Sequence, residues 1–87
     1  MFLNKGWIDM LNYSVKLDSV KDLIELKKIA NKFNINGKIN QNGFHGDLRS
    51  VFSNLFYLPL DEAVIEIDDY RDSQVNYISE AIGRLSA

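Results

Sequence analysis

Cysteine is absent from this 87-residue chain, so neither a disulfide framework nor a thiolate metal site is open to it, which suits a reducing compartment. Proline, histidine and tryptophan occur once each, at Pro59, His45 and Trp7. No apolar run approaches the ~18 residues of a membrane span, and the opening Met1-Phe2-Leu3-Asn4-Lys5-Gly6 lacks the apolar core of a secretory signal. The expectation is a cytoplasmic protein without membrane contact. An excess of positive charge is missing as well, and a formal net charge of −2 argues against nucleic acid as the main partner.

Tools for chemistry are scarce. His45 sits between Phe44 and Gly46, and a general base needs an orienting partner and a nucleophile or acid nearby, none of which the sequence supplies. No serine has a nucleophile-elbow setting, and Gly37, Gly43 and Gly46 lack the spacing of a phosphate-cradling loop. Asp68, Asp69 and Asp72 lack the alternation and the turn glycine of a calcium loop. These absences exclude the common enzyme classes, and no metal or cofactor is expected.

What is present is an ordinary globular composition, 46% hydrophobic and 25% charged, consistent with one domain over residues 1–87. The charge is unevenly placed. Residues 1–49 carry eight Lys/Arg against five Asp/Glu, whereas residues 50–87 carry two against seven. Six carboxylates fall between Asp61 and Asp72, with Arg71 the one cation among them. One helix start can use Asp72 at its positive end but not all six, and the remainder repel one another unless a cationic partner relieves them.

Helical spacing dominates the rest. Trp7, Ile8, Leu11 and Val15 predict a first helix over 5–15. A second, over 19–33, opens on Ser19 with Asp22 three residues later as a capping box, Asp18 being an alternative cap, and buries Val20, Leu23, Leu26, Ala30 and Phe33. Its Lys21, Lys27, Lys28 and Lys32 stay in water. Residues 34–46, with three Gly and four Asn, read as a loop. Asp47 then caps a third helix over 48–58, with Leu48, Val51, Phe52, Leu55 and Phe56 as its apolar stripe, stopped by Pro59. Asp72 or Ser73 caps a last helix over 73–85 that buries Val75, Ile78, Ile82 and Leu85. Four short amphipathic helices predict an all-α antiparallel four-helix bundle with an acidic loop before the last helix. Should the alternating Val64-Ile65-Glu66-Ile67 pair with another segment, the class becomes α+β.

Two functional readings compete. Leu26 to Ile35 superficially matches the first half of a helix-turn-helix, with the second-helix lysines contacting DNA, but residues 36–46 carry glycines and one Lys where a recognition helix is needed. The other reading follows from a resemblance. Gly46-Asp47-Leu48 and the segment after it, Phe56, Asp61, Ala63 and the run Glu66-Ile67-Asp68-Asp69, with looser likeness at Ile8-Asp9 and Lys16-Leu17-Asp18-Ser19, resemble the colicin D-type bacterial immunity proteins. The resemblance implies a non-catalytic four-helix bundle that blocks the basic active-site cleft of a cognate tRNA-cleaving toxin, its carboxylates standing in for phosphates. It implies a monomer when free and a one-to-one complex with the toxin; immunity proteins of contact-dependent inhibition systems would read the same way.

Where the family carries acids late in its third helix, this chain has Asn54, Tyr57, Leu58, Pro59 and Leu60. Partner contact is therefore expected from Asp61, Glu62, Glu66, Asp68 and Asp69, with Tyr57 and Tyr70 as aromatic anchors. Desolvated charge pairs in such a cleft couple by ~1.5–7 kcal/mol.

Overall fold

The computed structural model describes residues 10–85. It is not a helical bundle. Four antiparallel strands form one sheet in the order β1-β4-β2-β3, with three helices between and after them. The strands are β1 (Leu11–Leu17), β2 (Asn36–Gln41), β3 (Phe44–Asp47) and β4 (Leu60–Asp69); the helices are α1 (Val20–Phe33), α2 (Val51–Leu55) and α3 (Val75–Gly83). The α+β alternative that hung on Val64–Ile67 is the architecture found, and that segment lies within the sheet's longest strand.

Each departure from the four-helix expectation has a local cause. The first-helix reading rested on Trp7, Ile8, Leu11 and Val15; the last two are among the described residues, and their spacing of four fits a period of two as well as one of 3.6. Tyr13 and Leu17 decide the matter: with Leu11 and Val15 they line the covered face, while Asn12, Ser14 and Lys16 are exposed. Residues 5–9 of that expected helix, Trp7 and Ile8 included, lie outside the described residues.

The expected loop over 34–46 is the β2–β3 hairpin. Its connection is Asn42-Gly43, both with positive φ (44° and 88°), as a two-residue type I′ turn requires, because that turn's twist matches the strands it joins. The third helix shrinks to the five residues of α2. Leu48 is buried before it begins, Leu55 is exposed and Phe56 is 84% exposed, so the 48–58 stripe does not face one core. The side chain of Phe52 is outside the described set.

The second and last helices stand close to where spacing put them. In α1, Leu23, Leu26, Ala30 and Phe33 are buried, although Val20 is exposed at 42%. Ser19 is its N-cap, and the Asp22 carboxylate accepts from the amides of Ser19 (3.3 Å) and Asp18 (2.8 Å). At the other end Asn34 turns left-handed (φ 54°) and its amide, with that of Ile35, donates to the Ala30 carbonyl; the Arg49 guanidinium adds bonds to that carbonyl (3.3 Å) and to the Ile35 carbonyl just past the helix (3.0 Å). The last helix begins with a 3-10 turn over Asp72–Gln74, whose N-cap is Arg71 rather than Asp72 or Ser73. It buries Ile78 and Ile82.

The core lies between the helices and one face of the sheet. Leu17, Ile35, Ile39, Leu60, Ile65 and Ile67 meet Leu26, Ile78 and Ile82 there, all essentially without exposure. A hydrogen bond of 2.7 Å between the hydroxyls of Tyr13 and Ser79 ties β1 to α3. No described helix is long and apolar enough to cross a membrane.

Candidate functional site

The acidic segment is the central strand of the sheet and not a loop. Along β4, Ala63, Ile65 and Ile67 are buried; Glu62, Val64, Glu66 and Asp68 alternate with them and point to the face without helices. Strand geometry therefore sorts the carboxylates: the central three project from one surface, about 6.6 Å apart where they are two residues apart.

The register supplies their neighbours. Glu66 stands opposite Asn12 of β1 and Lys38 of β2, and Lys38 stands opposite Asp47 of β3. One row over the open face thus reads Asn12, Glu66, Lys38, Asp47. The next reads Ser14, Val64, Asn40, His45. The His45 Nδ1 donates to the Asn40 carboxamide oxygen, a contact that fixes the ring across the hairpin and leaves it exposed. Lys16 also projects from this face on β1. The surface is net acidic but mixed: Glu62, Glu66, Asp68 and Asp47 outnumber Lys16 and Lys38.

The other expected contact residues are spread more widely. Asp61 and Asp69 stand at opposite ends of β4, about 26 Å apart at strand rise. Asp69 accepts a hydrogen bond of 3.0 Å from the Asn36 side chain, and Asp61 lines a shallow hollow with Gln41, Asn42 and Glu62. The Glu62 amide donates to the Gln41 carboxamide oxygen at 2.8 Å. Tyr57 lies past α2 with its ring stacked on Phe44, the centroids 4.0 Å apart. Tyr70 is half-buried against the core.

Lys38, Asn40, His45 and Asp47 were missed as members of the face, because they join it only through the hairpin. The Asn42-Gly43 pair was the signal for it. Behind the hairpin, Asn54 is buried to 1% exposure; its Nδ2 donates to the Asp47 carbonyl at 2.8 Å, and its Oδ1 has no partner among the described residues.

Among the described residues no three His, Asp or Glu side chains come together as metal ligands. The lysines of α1 (Lys21, Lys27, Lys28, Lys32) are all exposed on the helical side, away from the carboxylates of the sheet. The segment after α1 is strand β2, so the recognition helix that a helix-turn-helix needs does not follow it. No protein-family model, curated protein or solved structure matches this chain.

Proposed function

We propose that this chain is a non-catalytic binding domain that docks the acidic open face of its sheet into a cationic groove of a protein partner. The observation that supports it most directly is the alternation along β4, which puts Glu62, Glu66 and Asp68 on one uncovered surface while the isoleucines between them hold the core. A rigid strand presents charges at fixed spacing, so less ordering entropy is lost on association than with a mobile acidic loop. The partner class proposed is a bacterial toxin nuclease, whose phosphate-holding cleft is lined by Lys and Arg and is neutralised one-to-one in the cytoplasm. The four-helix fold implied by the likeness to colicin D-type immunity proteins is not this fold, so the proposal rests on the charge distribution and not on that likeness.

The test is neutralisation of the nuclease encoded beside this gene. Glu66→Lys with Asp68→Lys abolishes protection while the far-UV circular dichroism of the domain stays unchanged. Protection that survives both reversals, or a gene neighbourhood without any toxin, removes the proposal.

A further inference from the structure

The β2–β3 hairpin and the chain leaving α2 enclose a groove at the edge of the open sheet face, which it meets at His45 and Glu62. Its wall is the stacked pair Phe44 and Tyr57, with ring planes 25° apart. On one side of that wall an open cavity of about 600 Å³ runs from Gln41 along the turn to Leu60. On the other, one of about 540 Å³ extends past Ser53 to Phe56. A smaller hollow of about 250 Å³ shares Gln41 and Asn42 with the first, and its remaining walls are Asp61 and Glu62.

Two aromatic rings stand in water at this rim: Phe56 is 84% exposed and Tyr57 53%. Large rings left unburied beside open hollows have the character of interface anchors. The carboxylates of Asp61 and Glu62 select what joins them. A nucleobase would stack on the same rings, but its phosphates would meet negative charge, whereas a guanidinium satisfies both halves of the groove. It is planar and weakly hydrated, so it stacks on an aromatic face, and its fork of N–H donors matches a carboxylate. A lysine ammonium has the charge without the plane.

We propose that this groove seats an arginine side chain from an extended basic segment of a partner protein. The guanidinium stacks on Tyr57 and reaches toward Asp61 and Glu62. The inference rests on the cationic-partner reading above but moves a specific contact from the sheet face to the rim beside β3.

The experiment titrates the isotopically labelled full chain with hexa-arginine, with hexa-lysine and with oligothymidylate, following amide resonances at low ionic strength. Hexa-arginine shifts Gly43, Phe44, His45 and Tyr57 and binds more tightly than hexa-lysine. Tyr57→Ala weakens it about three- to fivefold, the size of one exposed cation–π contact, while Tyr57→Phe retains it. Asp61→Asn with Glu62→Gln, two exposed changes that leave the core untouched, also weakens it. Equal binding of the two peptides, tighter binding of oligothymidylate in the groove, or the absence of groove shifts overturns the proposal. Shifts confined to Glu66 and Asp68 overturn it while leaving the sheet-face reading intact. Groove shifts that persist in a chain carrying Glu66→Lys and Asp68→Lys, when that chain has lost no protection, keep the groove and remove the sheet face.

Discussion

At the scale of single residues, two glycines and one arginine hold the hairpin in place. Gly37 sits where β2 slips register against β4, and a Cβ there would run into the Glu66 carbonyl. Gly46 lies against Asn54 and Phe44; a Cβ would meet the Asn54 Oδ1 and come within 2.6 Å of the Phe44 ring edge. Gly46→Ala therefore destabilises the domain by about 1–3 kcal/mol in urea unfolding, the usual cost of overpacking. Gly37→Ala costs more than that, because its obstacle is backbone and cannot rotate away. Arg49 joins the end of α1 to the chain entering α2, and Arg49→Met removes the charged donor to the Ile35 carbonyl while the Ala30 carbonyl keeps its backbone donors, costing about 1–3 kcal/mol by the same measurement.

At the scale of elements, β4 separates stability from recognition one residue at a time. Ile65 is fully buried and Glu66 is half-exposed beside it. Ile65→Ala should cost about 2–5 kcal/mol of unfolding free energy, whereas Glu66→Gln changes stability by no more than about 0.5 kcal/mol, both read from chemical denaturation.

How much of the sequence was legible depended on which period was unambiguous. For α1, the spacing of Leu23, Leu26, Ala30 and Phe33 has no strand interpretation, and the helix stands where it was expected. In β1 the informative pair was Leu11 and Val15, whose separation suits either structure, and the first helix was read in error. The hairpin hid because β2 holds one buried apolar side chain, Ile39, among Asn, Gly, Lys and Gln. The acidic segment was recognised as a surface, but its charge drew attention from the Ala63, Ile65 and Ile67 beat beneath it. The candidate site was thus half legible: β4's carboxylates came from composition, and their lysine and histidine neighbours only from pairing.

At the scale of the whole molecule, helices and open sheet carry opposite tendencies. Exposed lysines line the outer side of α1, and the carboxylates of β4 stand on the sheet's open face. Such a separation steers association with a cationic surface and is screened over about 8–10 Å at ordinary ionic strength. The association rate with a cationic partner should fall steeply between low and physiological salt in stopped-flow measurements, with a smaller change in dissociation. Lys27→Glu with Lys28→Glu should leave neutralisation intact, since those side chains lie on the helical side.

The order β1-β4-β2-β3 puts the last strand to be synthesised between the first two. A nascent chain paused at Pro59 holds three strands with a vacant slot between β1 and β2, and none of the isoleucines of β4 to fill the interior. Its folding must wait for a long-range insertion rather than proceed by accretion from the N-terminus, which places the decisive step late in translation. The segment that carries the negative charge is therefore also the keystone, and a ribosome-stalled fragment lacking it would be a substrate for proteases before it could bind anything.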